Sequence, residues 1–124
     1  MPYVNPEVFD GGLDYADTNG TRLDICFTQE PTNYTEAVTT YTCGNDTVAV
    51  PVPEAGAVDG RRVIIPAITA GSVTATQTAG WWALTDGTSI LVAAGPLTAT
   101  QAVTSGNTFT LDAISITIRD ATAP

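Results

Sequence analysis

The stretch TAGWWALTDGTSILVAAG, residues 78–95, determines the fold class because it has the form of a strand, a tight turn and a second strand. Apolar and β-branched residues stand on both sides of Asp86-Gly87, a dipeptide typical of hairpin turns. Strands at 72–85 and 88–94 are therefore predicted.

Two tryptophans stand side by side on the first of these strands. Successive side chains on a strand point to opposite faces, so Trp81 and Trp82 cannot enter the same core. Gly80 is a typical site for a bulge, and after it the larger alternating residues are Trp82 and Leu84, which favours Trp82 inside. We therefore expect Trp81 to face outward. Covering an indole of roughly 150 to 250 Å² at about 25 cal/mol per Å² is worth several kcal/mol, so we expect Trp81 to lie in an interface.

The rest of the chain has a similar pattern of short β-branched runs separated by turn dipeptides. Threonine, valine and isoleucine are abundant, and most good helix formers are scarce. The fold class predicted is all-β, a single-domain antiparallel β-sandwich or barrel-like fold with an irregular N-terminal arm. The arm and its turn occupy residues 1–21, and the β domain occupies 22–124. Further strands are predicted at 22–28, 37–43, 46–52, 61–69, 97–104 and 107–119.

Two segments leave alternatives open. Pro6 to Ala16 has the composition of a short helix with proline in its first turn, but Gly11-Gly12 favours an irregular arm or a single helical turn. In the last strand the apolar alternation changes phase between Ala113 and Ile114. A β-bulge there would keep both halves facing one core, and we favour it over a strand whose second half is buried on both faces.

The residues that are missing exclude much of enzyme chemistry. The chain has no histidine and no lysine, so Ser-His-Asp and Cys-His arrangements, Schiff bases and most zinc sites are not available within it. The acids form no recognisable catalytic pair. The acidic stretch around DTNG, residues 17–20, lacks the first and last carboxylates of a calcium loop. We expect no enzyme, no cofactor and no metal.

Charge restricts the partners. Four Arg against thirteen Asp and Glu give a formal net charge of -9, which repels a phosphate backbone, so nucleic-acid binding is not expected. Neither a signal peptide nor a membrane span is recognisable, and a soluble, unexported chain is expected. In a reducing compartment Cys26 and Cys43 are more often free and buried than bonded, although a disulfide stays open.

Six residues are candidates for a protein interface. Arg61 and Arg62 follow a predicted turn and point to opposite faces of a strand, where one can pair locally and the other can meet a partner's carboxylate. The arm PYVNPEVF, residues 2–9, can add hydrogen bonds to a neighbour's sheet edge, although its prolines limit the ladder. The predicted interface residues are Tyr3, Val4, Phe9, Arg61, Arg62 and Trp81.

Two long stretches carry a resemblance. TRLDICFTQEPTNYTEA, and DGRRVIIPAITAGSVTATQTAGWWALTDGTSILVAAGPLTATQAVTSGNTFTLDAISITIRD, resemble a group of small tailed-bacteriophage proteins encoded among head genes. The likeness extends from about residue 21 to 120 and consists of a pattern of turns and small residues. In that group the position of Trp81 is often polar and that of Trp82 aromatic, so the contacts of Trp81 are expected to be peculiar to this chain.

The resemblance implies a virion structural protein, a capsid decoration or cement protein on the capsid exterior, present in the host cytoplasm during assembly. Its implied partners are the major capsid protein and copies of itself, for which a trimer is one arrangement. The alternatives are a tail, neck or fibre component, and a glycan-binding module that uses an exposed tryptophan and carboxylates.

Overall fold

The computed structural model describes residues 6–56 and 60–118, and the side chains among them from residue 12 onward. It has one helix and nine strands in these ranges. They are α1 (Pro6–Asn19), β1 (Arg22–Cys26), β2 (Thr42–Thr47), β3 (Glu54–Ala55), β4 (Arg61–Ile65), β5 (Ile68–Val73), β6 (Gln77–Thr85), β7 (Leu91–Val103), β8 (Thr108–Leu111) and β9 (Ile114–Ile118). A single π-helical turn, Glu36–Thr40, precedes β2.

The strands form two sheets. The larger is a curled antiparallel sheet of six strands in the order β7-β6-β1-β2-β5-β8, and the smaller has the order β3-β4-β9. The predicted all-β class is therefore confirmed. One main core collects the inner side chains of the larger sheet, together with side chains of β4 and α1. Phe109, Leu23, Ile25, Ile65 and Leu84 are the largest of its fully buried members.

The N-terminal arm is not irregular. It forms a 14-residue helix that packs against β4, and the prediction of a single turn at most was wrong. Leu13 and Ala16 are three residues apart, lie on one face of the helix and are buried in the main core. Tertiary burial of this face outweighs the weak helix propensity of the two glycines. Gly12 is exposed, and a methyl group there would only touch Ile118 at 3.5 Å.

The prediction of a bulge in the last strand was also wrong. β8 ends at Leu111, β9 begins at Ile114, and the two strands belong to different sheets. The chain leaves β5 and pairs with β4 instead, so the apolar phase changes because the strand faces the core from a new direction. Ile114 and Ile116 pack against the core, while Ser115 and Thr117 are exposed.

Several strands begin or end at residues other than those predicted. The break at Gly95-Pro96 between the strands predicted at 88–94 and 97–104 does not exist, because β7 continues through it as an end strand, where proline is tolerated. The predicted strand at 37–43 is replaced by the π-helical turn and the start of β2. The bulge expected at Gly80 is confirmed by a register shift between Ala79 and Trp81 in the β6–β7 pair.

The hairpin around Asp86 is closed by hydrogen bonds to its carboxylate. Oδ1 of Asp86 accepts the backbone N–H groups of Ile90, Ser89 and Thr88 at 3.0, 2.8 and 2.9 Å. These bonds lower the pKa of Asp86, because they favour the charged carboxylate. Gly87 follows with a φ of 77°, a left-handed conformation that favours glycine.

Candidate binding surface

The two tryptophans occupy the two faces of the larger sheet. Trp82 is 9% exposed and belongs to the main core, as the sequence predicted. Trp81 lies on the opposite face, as expected, but part of its indole is already covered within the chain. It is half-buried against a second, smaller cluster made by Cys26, Ala37 and Ala83. Val38 and Tyr41 also pack there, so the segment before β2 covers this part of the sheet.

That covering segment, residues 27–41, is closed at its base. The Phe27 N–H donates to the Tyr41 carbonyl at 2.9 Å, and the two rings meet edge to face at 6.4 Å. Between them Thr28 has a φ of 73°, and the Gln29 N–H returns to the Phe27 carbonyl at 2.9 Å. This is a γ-turn of the rare, strained kind. A β-branched residue in this conformation costs about 1–3 kcal/mol.

Inside the same segment, Glu36 fixes the start of the π-helical turn. The backbone N–H and the hydroxyl of Thr32 each donate to Oε1 of Glu36 at 2.8 Å. In return Oδ1 of Asn33 accepts the Glu36 N–H at 2.9 Å. The bonds from Thr32 lower the pKa of Glu36. The segment therefore has a defined conformation in which Ala37 is held over the sheet.

A buried carboxylate lies on the same face as Trp81. Asp24 is fully buried and accepts hydrogen bonds from Nε and Nη2 of Arg22 at 2.8 and 3.0 Å and from the Thr42 hydroxyl at 2.7 Å. Burial raises the pKa of Asp24, and the bonds from Arg22 and Thr42 oppose that shift. Both carboxylate oxygens are engaged within the chain, so this cluster orders the sheet rather than offering an open acid.

The cysteines are free and lie in separate clusters, so the disulfide left open by the sequence is not formed. Cys26 belongs to the cluster beside Trp81 and Cys43 to the main core. Their thiols point to the carbonyl oxygens of Ala37 and Ile25 at 3.7 and 3.5 Å. Burial raises the pKa of Cys26 to about 12 and that of Cys43 to about 11, which suppresses thiolate chemistry.

A concave surface lies between the two ends of the larger sheet. A groove of about 560 Å³ is lined by residues 96–101 of β7, by residues 110–115 at the β8–β9 junction, and by Trp82. Trp82 pairs with Gly95 across the strands, and a methyl group on Gly95 would come within 3.0 Å of the indole. The glycine thus leaves room for the ring that lines the groove.

The two sides of the groove are strand edges. β7 and β8 are the end strands of the larger sheet in the part of the chain that the structure describes. They approach each other without a ladder between them, and Nε2 of Gln101 donates to the Thr110 carbonyl at 2.9 Å. A side chain thus takes the place of a backbone hydrogen bond at this point. Asp112 is the one charged residue among the lining residues that the structure describes.

Arg61, Arg62 and Trp81, the predicted interface residues whose side chains the structure describes, do not line this groove. Arg61 and Arg62 begin β4 in the smaller sheet, while Trp81 lies in the larger one. Arg61 donates from Nη2 to the Pro53 carbonyl at 3.4 Å. Arg62 lies 3.8 Å from Glu54, and its buried Nε has no hydrogen-bond partner. Tyr3 and Val4, and the side chain of Phe9, lie outside the described residues.

The sequence analysis missed the groove, although one signal for it is present. The run LTATQ, residues 97–101, is an uncharged series of mostly small residues on what proved to be an end strand. Its counterpart at 110–115 begins only nine residues later, but the two runs lie at opposite ends of the larger sheet, so closeness in sequence does not show that they face each other.

Neither a metal centre nor a membrane helix is found in the described ranges. Residues 6–56 and 60–118 contain no group of three or more potential metal-ligating side chains. Over the same part of the chain, no helix has the length and apolar character needed to span a bilayer.

Comparisons with known proteins found no significant match to this chain. No protein-family model matches the chain, and neither a curated protein nor a solved structure matches it significantly.

Proposed function

We propose that this chain is a non-enzymatic structural protein of a tailed-bacteriophage virion, a decoration or cement protein that binds the outer capsid surface and stabilises contacts between major capsid subunits. The observation that carries the proposal is the groove between β7 and β8. There a small β domain presents two strand edges around one concave surface, and the largely buried Trp82 lies in its lining. Such edges bind other proteins through backbone hydrogen bonds and side-chain pockets.

Two further features support this role. The resemblance of residues 21–120 to small proteins encoded among phage head genes points to the virion. The net charge of -9 suits a position outside the shell, because it repels the packaged nucleic acid and attracts basic patches on a partner.

The structure is compatible with one of the two alternative functions and gives less support to the other. A tail, neck or fibre component would have the same fold and the same adhesive groove, so location in the particle separates it from a decoration protein. A glycan-binding module depended on an exposed tryptophan, but Trp81 is half-buried and Trp82 is 9% exposed. Both indoles are therefore less exposed than that alternative assumed.

The decisive experiment is to count the protein in purified virions by quantitative mass spectrometry against the major capsid protein. A decoration protein is expected in numbers comparable to those of the capsid subunits, with cryo-electron microscopy density over the capsid faces. Copies confined to one ring at the portal vertex would assign it to the tail or neck. Absence from the particle would refute the virion role.

A further inference from the structure

We propose that the occupant of the groove is an extended segment of a different protein, which pairs with the outer edge of β7 and places an arginine or lysine side chain beside Asp112. The inference rests on the proposed function only in identifying that protein as a capsid subunit. The mode of binding follows from the edge strand and the charge of the groove.

The first argument is the character of β7 as an edge strand. It is the longest strand, with 13 residues, and its sequence LVAAGPLTATQAV contains no charged residue. End strands that are long and uncharged are hazards for aggregation, and natural proteins protect them with charges, prolines or a cover. Pro96 protects the first half, since it lacks an N–H group. Residues 97–100 after it carry neither a charge nor a proline, and only beyond them does Gln101 bond to Thr110 of β8. This lack of protection is expected if a partner covers the stretch.

The second argument is the shape beside that edge. Residues 98–100 are exposed and small, so an incoming backbone meets no bulky side chain there. The partly buried side chains of Leu97 and Ile114 lie beside Trp82 in the groove. Because alternate side chains of a strand point the same way, a bound segment can direct one apolar side chain towards the indole and the next towards solvent.

The third argument is charge, and it selects a different protein over a second copy. Asp112 is exposed and is the one carboxylate among the described residues that line the groove. A second copy would bring another net charge of -9. Its described arginines are already engaged: Arg22 with Asp24, Arg62 with Glu54, and Arg61 with the Pro53 carbonyl. A basic side chain on a partner with fewer acids complements the groove better.

A binding assay on the purified protein tests the mode of binding without the virion. The Trp81→Phe variant leaves Trp82 as the one tryptophan, so its fluorescence reports on the groove. The probes are two synthetic peptides of alternating valine and threonine, one ending in two arginines and the other in two glutamates. We expect the arginine peptide to shift the emission of Trp82 saturably and to bind about tenfold more tightly than the glutamate peptide.

Matched variants locate the contact. Ala99 and Ala102 are both exposed alanines of β7, but only Ala99 lines the groove. Ala99→Arg should weaken binding of the arginine peptide about tenfold or more, while Ala102→Arg should leave it unchanged. Asp112→Lys should reverse the preference in favour of the glutamate peptide. Thermal unfolding of each variant confirms that it is folded before binding is measured.

The inference is overturned if neither peptide affects Trp82, if both bind equally, or if the two alanine variants weaken binding alike. Adding the same variants to virions that lack the protein separates this inference from the proposed function. If the Ala99→Arg variant binds these virions as well as the wild-type protein does, the groove is not the binding site, and the capsid role is unaffected. Failure of the wild-type protein to bind virions, with the peptide results as expected, would overturn the capsid role alone.

Discussion

Gly71 lies opposite Phe109 in the β5–β8 pair. Its replacement by alanine should destabilise the protein more than the same replacement at a glycine with free space around it. A methyl carbon on Gly71 would lie 2.3 Å from Cε1 and Cζ of Phe109 and 2.8 Å from Cδ1. Carbon atoms in contact are normally about 3.5–4.0 Å apart. The ring or the strand must therefore move by more than about 1 Å, a shift that close packing resists.

The size of the effect follows from the burial of the ring. Phe109 is 2% exposed and is the largest fully buried side chain, so Gly71→Ala overpacks the core, which costs about 1–3 kcal/mol of unfolding free energy. Phe109→Ala alone should cost about 3–5 kcal/mol. In that background the added methyl group has space, so Gly71→Ala should become neutral or even stabilise by about 0.4–1 kcal/mol through the entropy of the unfolded chain. The two substitutions should thus be strongly non-additive.

The assay is urea denaturation of the two single variants and the double variant, followed by tryptophan fluorescence. Gly80→Ala is the matched control, because a methyl group there would meet only the Thr100 side chain, at 3.9 Å. It should change the unfolding free energy by no more than about 0.5 kcal/mol, or stabilise slightly. Equal effects of Gly71→Ala and Gly80→Ala, or additive effects in the double variant, would refute the assigned contact.

Three further predictions concern the turns and the thiols. Because the pKa of Asp86 is lowered in the folded protein, the stability that Asp86 contributes is present above its unfolded pKa and is lost as the pH falls through its folded pKa. Asp86→Asn should therefore flatten that part of the acid-denaturation profile. An unchanged profile would contradict the hydrogen bonds to residues 88–90. Thr28→Gly should raise the unfolding free energy by about 1 kcal/mol, since glycine adopts the left-handed conformation without strain, and a thermal melt showing destabilisation would refute the strain. Cys26 and Cys43 should react with a thiol reagent at neutral pH far more slowly in the native than in the urea-unfolded protein, whereas equal rates would show that their burial is wrong.

The sequence predicted the local pattern of the sheet better than its surroundings. The position of Trp82 in the core and the bulge at Gly80 depend on alternation within one strand, and both are confirmed. The cover over Trp81 comes from Ala37, Val38 and Tyr41, which lie at least 40 residues earlier in what was predicted as a strand at 37–43. Alternation shows which faces a strand has, but it does not show what packs on each of them.

The two elements predicted wrongly fail for a related reason. The glycines in α1 disfavour a helix when the segment is considered alone, and only burial of Leu13 and Ala16 against the sheets compensates. A β-bulge at Ala113-Ile114 and a strand that moves to a second sheet there produce the same change of apolar phase in the sequence. Distinguishing them requires knowing that β4 is available as a new partner for β9, which is long-range information.

The groove is the part of the candidate site furthest from sequence reasoning, because it arises from the curl of the whole sheet. All five strand pairs of the larger sheet are antiparallel, so its end strands β7 and β8 also run in opposite directions. They could in principle have closed a six-stranded barrel. Instead Pro96 removes one donor from β7, and the Gln101 side chain occupies the Thr110 carbonyl.

Leaving this seam open links the stability of the protein to its partner. A segment that binds the folded protein and not the unfolded chain adds RT ln(1 + [L]/Kd) to the unfolding free energy, about 2.7 kcal/mol when the partner is present at a hundredfold excess over Kd. The protein should therefore unfold at a higher temperature on its partner than in solution, and Ala99→Arg should remove that gain while leaving the melting temperature of the isolated protein nearly unchanged. An equal gain in the variant would mean that the stabilising contact lies on another surface.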